Sequence, residues 1–309
     1  MNIHNINIDS DLSIINRTIV TVGMFDGIHI GHQYLLRMIE KEGVNLGLRP
    51  LVLTFDRHPR RVLGDNGFKM LTTADERLGL LEEYGVEELA LLHFTPEVAR
   101  LTACEFVEQV LLRQLGMEVL VLGYDNRFGN KEAGDFEQLS QLGRERGFGI
   151  MQQEELNRGD GVMYSSTRIR ESLAMGDIEG ANYMLGHRYT IGGMVVRGRG
   201  EGRKLGVPTA NIACPDEKLL PSDGVYCALA TTASGEEYRT VVNIGGQPTF
   251  GLEGRTIEAH LIGFHGDLYG TTLKLGLTGR LRDIHRYDNP ERLADRIALD
   301  IRLASSSRY

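Results

Sequence analysis

Four short, largely apolar runs punctuate the first half of the chain, at residues 18–22, 51–55, 89–94 and 119–123, with helix-length segments between them. A run without polar alternation has both faces buried. A chain that alternates such runs with helices is confined to a parallel sheet covered on both sides. The spacing predicts helices over about 33–42, where Leu35, Leu36 and Ile39 share a face, and over about 74–84 and 103–115. In such a sheet a ligand sits at the carboxyl ends of the strands, so chemistry is sought in the loops that follow the runs.

The pattern changes near residues 185–189. Short strand-like runs follow at 190–196, 224–230, 238–244, 256–262 and 271–277, separated by glycine, proline or acidic turns. Several alternate, with Ile257, Ala259 and Leu261 set against Glu258 and His260. Short strands in series predict an antiparallel barrel, which has no open edge. A closing helix follows. Asn289 suits its N-cap and Pro290 its first position, and Leu293, Ile297 and Ile301 recur at i+4 to pack it on the barrel. The expected fold is α/β plus β, in two domains, 1–185 and 186–309, within a length that gives each its own core.

Charge and cysteine content narrow the function class. Residues 1–185 carry 18 Lys+Arg against 28 Asp+Glu, and residues 186–309 carry 16 against 14. An acidic first half lacks the basic footprint that nucleic-acid binding needs, yet a nucleotide pocket requires only a few placed donors. No stretch approaches 18 consecutive apolar residues, so no membrane span is expected. The N-terminus has neither the basic flank nor the apolar block of a signal peptide. Three cysteines, Cys104, Cys214 and Cys227, are odd in number, fit no metal spacing and read as reduced residues of a cytoplasmic protein.

The loop after the first strand carries Gly23-Met24-Phe25-Asp26-Gly27-Ile28-His29-Ile30-Gly31-His32-Gln33. Two histidines flank a glycine where a helix begins and backbone N–H groups lack intrahelical partners. That geometry holds anions. Gly31 permits close backbone approach, and His29 and His32 add side-chain donors suited to stabilising an attacked α-phosphate. Chance occurrence or metal ligation are the plainer readings, and no third ligand stands at a natural spacing. A second loop, Tyr164-Ser165-Ser166-Thr167-Arg168-Ile169-Arg170, reads as a serine- or threonine-capped helix start with two arginines in its first turns, able to grip an outgoing pyrophosphate. An ordinary capped helix with solvated arginines is the alternative.

The densest motif lies in the second half, from Gly198 through Gly200, Gly202, Arg203, Lys204 and Gly206 to Pro208-Thr209-Ala210-Asn211. Four glycines in nine residues permit a nest of inward N–H groups for phosphates. It is not a Walker A loop, since no Gly-Lys-Ser/Thr occurs. Thr209 and Asn211 face one side if extended, and their neutral oxygens suit a Mg²⁺ that bridges ATP phosphates; a flexible hairpin is the alternative. Transfer to an alcohol also needs a base, and Glu258 in its alternating strand is the candidate.

The Gly23–Gln33 loop, Thr54-Phe55-Asp56-x-His58-Pro59, Gly123-x-Asp125-x-x-Phe128-Gly129 and Ser165-Ser166-Thr167-x-Ile169-Arg170 resemble, in that order, the adenylyltransferase half of bacterial bifunctional riboflavin kinase/FMN adenylyltransferases (FAD synthetases). The same His-x-Gly-His letters sign class I aminoacyl-tRNA synthetases, but this chain lacks their lysine-rich second loop and an obvious tRNA-binding domain. Downstream, Leu185-Gly186-x-x-Tyr189, Gly202-Arg203-x-Leu205-Gly206-x-Pro208-Thr209-Ala210-Asn211, Gly224-Val225-Tyr226, Asn243-Ile244-Gly245-x-x-Pro248-Thr249-Phe250, Ile257-Glu258-x-His260-Leu261 and Asp267-Leu268-Tyr269-Gly270 resemble the family's riboflavin kinase domain. The resemblance implies a Rossmann-like nucleotidyltransferase domain followed by a kinase barrel. It also implies ATP and Mg²⁺ as co-substrate and cofactor, with riboflavin, FMN and FAD as ligands. Gly23, Phe25, His29, Gly31, His32, Ser166, Thr167 and Arg170 would then serve ATP in the first domain, with Asp125 near the flavin or phosphates. Gly198, Gly202, Arg203, Lys204, Gly206 and Thr209 would bind ATP in the second. There Thr209 and Asn211 would hold Mg²⁺, Glu258 would be the base and Arg282 would lie near the flavin. Met24, Asn126 and Glu201 depart from the usual family residues. Tyr189, Tyr226 and Tyr269 are candidates for stacking on a flavin ring or for core packing.

Overall fold

The computed structural model describes residues 1–10, 17–124, 136–156, 159, 161–198, 202, 206–246, 255–287 and 289–306. Expectations at Asp125, Asn126, Phe128, Gly129, Arg199, Gly200, Glu201, Arg203, Lys204, Pro248, Thr249 and Phe250 lie outside them. The chain divides into two compact units, one of Met1–Phe68 with Thr72–Tyr164, the other of Lys69–Leu71 with Ser165–Tyr309.

In the first unit β1 (Asn2–Ile6), β2 (Thr18–Val22), β3 (Arg49–Phe55), β4 (Glu88–Leu92), β5 (Met117–Leu122) and β6 (Gly149–Gln152) form one sheet in the order β1-β4-β3-β2-β5-β6. Every pair is parallel. Alternate residues of the central strands enter different cores. Val20, Val22, Leu51 and Leu53 join one cluster, while Ile19, Val52, Leu89 and Val121 join another. Each such side chain contributes roughly 1.5–3 kcal/mol when fully buried, which is why these runs carry no polar alternation. The helix Ile30–Leu46 is longer than its apolar stripe suggested, and the segment expected at 103–115 is a short helix, Ala103–Phe106, continued as a π-helix, Val107–Leu112. From β2 the chain steps outward to β3 and β4, then returns to the other side of β2 with β5. The carboxyl ends of β2 and β5 therefore flank the switch point at which open α/β sheets bind ligands.

In the second unit β7 (Thr190–Val196), β8 (Ala210–Ala213), β9 (Gly224–Thr231), β10 (Glu237–Gly246), β11 (Arg255–Leu261) and β12 (Thr272–Arg282) close a barrel in the order β10-β11-β8-β7-β12-β9, each neighbouring pair antiparallel. Burial alternates along β11, with Ile257, Ala259 and Leu261 buried and Glu258 and His260 half-buried. The helix Pro290–Ser306 packs beside β10, and Asn289 caps it by accepting from the Arg292 N–H at 2.8 Å. The helices Ser166–Met175 and Ile178–Leu185 also belong to this unit. Asn182 explains why: its Nδ2 donates to the Leu277 carbonyl at 2.9 Å while its Oδ1 accepts from Tyr189 N–H at 2.7 Å. The compact units thus part after Tyr164, ahead of the boundary expected at 185/186. No helix among the described residues is long and apolar enough to cross a membrane.

Candidate active sites

The loop after β2 is held in an unusual backbone conformation. Phe25, Gly27 and Ile28 have φ of 50°, 83° and 40°. Positive φ is a genuine outlier for a bulky β-branched residue, and it persists only where surroundings over-determine it. Here Phe25 and Ile28 are anchored by their side chains, 1% and 0% exposed within the core cluster. A polar brace adds to this. The buried Asp26 carboxylate accepts from the Thr72 backbone N–H at 2.9 Å and its hydroxyl at 3.0 Å, and Thr72 Oγ1 accepts from Gly27 N–H at 3.1 Å.

The loop delivers His29 to the N-cap of the helix Ile30–Leu46, where its Nδ1 accepts from the His32 backbone N–H at 3.4 Å. Using the Nδ1 lone pair leaves the proton on Nε2, which makes that nitrogen a donor. The His29 and His32 rings stack at 3.7 Å, and Phe25 meets His32 edge-on at 5.2 Å. Burial first, and then the like-charge repulsion that a protonated His29 would exert, hold His32 well below the usual histidine range. A Cβ on Gly31 would stand 3.1 Å from the His29 ring, and one on Gly23 would stand 3.2 Å from the Phe25 ring. The two glycines thus give room to the aromatic residues of the loop. Nearby, Asp56 follows β3 and joins it to β4, accepting from Phe94 N–H at 2.9 Å and lying 2.5 Å from His93 Nδ1.

The second predicted loop opens the helix Ser166–Met175 of the other unit. Ser165 is its N-cap and accepts from Arg168 N–H at 3.3 Å. Thr167 and Arg168 are exposed, and Ser166 and Arg170 half-buried. The residue that caps is thus Ser165, one before the serine and threonine expected to serve ATP.

The barrel's candidate residues are brought together by strand register. Asn211 of β8 lies opposite Glu258 of β11, which lies opposite Asn243 of β10, which lies opposite Val225 of β9, which lies opposite Arg282 of β12. Directly opposed residues share a face. Along β10, Val242 and Ile244 are fully buried while Val241 and Asn243 line a cavity of about 270 Å³ with Glu258, His260, Thr209 and Arg282. Leu293, Ile297 and Ile301 of the helix Pro290–Ser306 form its apolar wall. The cavity therefore lies between the barrel's outer face and that helix. A second cavity, about 100 Å³, is bounded by Val195, Pro208, Leu261, Phe264 and Tyr269, and Thr209 lines both.

The described glycines of the loop make space for these side chains. A Cβ on Gly198 would fall 2.1 Å from Asn211 Nδ2, and one on Gly202 would fall 2.3 Å from the Val207 carbonyl and 3.2 Å from Thr209 Oγ1. Gly206 takes φ of 74°. His260 Nδ1 is 2.8 Å from the Pro208 carbonyl and so donates to it. Of the three tyrosines, Tyr189 and Tyr226 are core residues, their hydroxyls donating to Leu219 and Ser222 carbonyls at 2.6 Å, whereas Tyr269 is 44% exposed beside the smaller cavity. Asn243 and Thr72 were not singled out from sequence as site residues. Nothing short of the register or the loop's fold brings them to the others.

The FAD synthetase family model matches residues 12–168, and the riboflavin kinase model matches residues 185–307. The bifunctional riboflavin kinase/FMN adenylyltransferase of Pseudomonas fluorescens is 34% identical over 293 residues, 93% of this chain and 91% of its own. That of Escherichia coli (strain K12) is 34% identical over 283 residues, covering 91% and 90%. The crystal structure of a macrolide-efflux protein from Streptococcus pneumoniae matches with a TM-score of 0.87 at 30% identity, covering 98% of this chain and 99% of that one. Two family models in tandem and near full-length relatives at this identity leave one conclusion: the chain belongs to the bifunctional riboflavin kinase/FMN adenylyltransferase family.

Proposed function

We propose that this chain converts riboflavin and ATP to FMN on its barrel, and FMN and ATP to FAD and pyrophosphate on its first domain. The observation that carries the kinase reading is the pair of cavities that share Thr209. Phosphoryl transfer requires donor and acceptor on either side of a common point, with little covalent work for the protein. The larger cavity, with its apolar helical wall, takes the flavin, and the smaller one beside Tyr269 takes the nucleotide base. Glu258 accepts the proton of the ribityl 5′-hydroxyl. Arg203 and Lys204, with the loop glycines, bind the ATP phosphates in this proposal.

Thr209 and Asn211 would hold Mg²⁺. Their neutral oxygens fit a hard cation whose anionic ligands come from the triphosphate, and the absence of a side chain at Gly198 leaves room over Asn211. Among the described residues no cluster of three acidic, histidine or cysteine side chains offers a competing metal site. When bound, Mg²⁺ supplies charge neutralisation to the phosphates.

In the first domain we assign the α-phosphate to the start of the helix Ile30–Leu46. There His29 Nε2–H, a neutral His32 and free backbone N–H groups stabilise the charge that grows as the FMN phosphate attacks. Ser166, Thr167 and Arg170 serve the leaving pyrophosphate, and Asp125 the flavin or the reacting phosphates. A cytoplasmic setting belongs to the same proposal and agrees with cysteines that form no disulfide.

The test is purified protein with riboflavin, ATP and Mg²⁺, resolved by chromatography for FMN and FAD, with pyrophosphate release followed in parallel. Both flavin nucleotides are expected. Pyrophosphate release with another phosphate acceptor, such as pantetheine phosphate, but not with FMN would refute the adenylylation reading. Absence of FMN would refute the kinase reading.

A further inference from the structure

The kinase chemistry leaves one buried group without a task. Asp300, on the helix Pro290–Ser306, is 1% exposed yet lies beside the apolar residues that wall the larger cavity. Its Oδ2 accepts from Arg282 Nε at 2.9 Å and Nη2 at 2.8 Å, and its Oδ1 accepts from Arg296 Nε at 3.1 Å. Arg282 Nη1 also donates to the Asp283 carbonyl at 3.0 Å. A guanidinium has five N–H groups in one plane. These contacts fix that plane and leave an N–H on each terminal nitrogen for another acceptor.

A buried carboxylate between two arginines is weak evidence for stability, since an apolar residue of similar volume often serves as well. Its attested use is to set position. The position in question is at the far end of the cross-barrel row. From Glu258 to Arg282 the row passes over β10 and β9, three strand spacings or about 14 Å along the wall. Arg282 is therefore remote from the hydroxyl that Glu258 serves and close to whatever fills the other end of the same cavity.

We infer that Asp300 is a positioning residue for the acceptor substrate. It orients Arg282 toward acceptor atoms at the end of the flavin distant from the reacting hydroxyl, and it fastens the helix Pro290–Ser306 as the cavity's wall. The inference rests on the cavity being the flavin site. Because it concerns binding remote from the reaction, its signature is a change in KM rather than in kcat.

The experiment compares wild type, Asp300→Asn, Arg282→Ala and the double variant. Each is assayed for riboflavin KM, kinase kcat and FMN-to-FAD conversion, with riboflavin affinity read independently by fluorescence quenching. For Asp300→Asn we expect KM and dissociation constant to rise about tenfold, kcat to stay within about threefold, and FAD formation from FMN to be unchanged. The double variant should be no worse than Arg282→Ala, because groups acting through one another are not additive. Unchanged riboflavin affinity in a folded Asp300→Asn protein would overturn the inference, as would effects that multiply in the double variant. If Asp300→Asn does not fold, Arg296→Gln relaxes the same carboxylate from the exposed side. A two- to threefold rise in KM is then expected, and no rise counts against the role. Wild-type protein that makes no FMN sinks the kinase reading itself, which separates the two failures.

Discussion

Thr72→Val is the sharpest test of how the adenylylation loop is held. The substitution keeps shape and removes one oxygen. That oxygen donates to the Asp26 carboxylate at 3.0 Å and accepts from Gly27 N–H at 3.1 Å. A hydrogen bond to a charged group is worth about 1.5–3 kcal/mol and a neutral one about 0.5–1.5, so the brace loses roughly 2–4 kcal/mol. Against it stands the strain at Phe25 and Ile28, on the order of 1–3 kcal/mol each. The two are of similar size, so the loop should spend most of its time relaxed, with His29 and His32 displaced from the helix start. Each 1.4 kcal/mol of lost population is about tenfold, which puts FAD formation from FMN down roughly 30- to 700-fold. The assay is steady-state conversion of FMN and ATP to FAD, beside riboflavin-to-FMN conversion by the same preparation. FMN formation should hold at the wild-type rate. Wild-type FAD formation in a folded Thr72→Val protein would refute the idea that Thr72 keeps the loop in its strained form.

Other expectations follow from the same geometry. Glu258→Ala should abolish FMN formation, by about 10²–10⁴-fold as for loss of a general base, and spare FMN-to-FAD conversion. Replacing His29 and His32 by alanine should do the reverse, and loss of both activities in either folded variant would break the assignment by domain. Gly198→Ala brings a methyl within 2.1 Å of the Asn211 amide, so kinase activity should fall with a raised requirement for Mg²⁺; an unchanged Mg²⁺ titration would count against Asn211. His32 is held well below 6.5 in the folded chain. The unfolded chain therefore binds more protons as pH falls, and the stability from neutral His32 is full above about pH 6.5 and declines below it. Melting temperatures from pH 7.5 to 5 should fall more steeply for wild type than for His32→Gln, and equal slopes would contradict this.

What could be read from the residues depended on how local the cause was. β2 was legible because both its faces are buried, leaving a run with no charged residue, and β11 because its two faces differ. β1 escaped notice because an edge strand tolerates Asn2 and Asn5, whose residues are exposed. β6 and β8 are four residues each, too short for any period to declare itself. The same distinction governs the sites. His29 and His32 stand in one loop and could be paired by eye. Thr72 lies 46 residues from Asp26, and no local pattern links them. Asn243 and Asp300 reach the candidate cavity only through strand register and the packing of the last helix. Tyr189 and Tyr226 kept two readings open, because a buried aromatic looks the same in sequence whether it meets a ligand or other side chains.

The position of the larger cavity, outside the barrel rather than within it, has a consequence for how this half of the chain can change. Along β10 consecutive residues answer to different demands: Val242 and Ile244 are inaccessible, while Val241 and Asn243 border the cavity. If the cavity is the flavin site proposed above, substitutions at the inaccessible positions should act on melting behaviour and those at their immediate neighbours on turnover. On that reading the two properties are interleaved residue by residue along one strand, and each should be open to redesign separately.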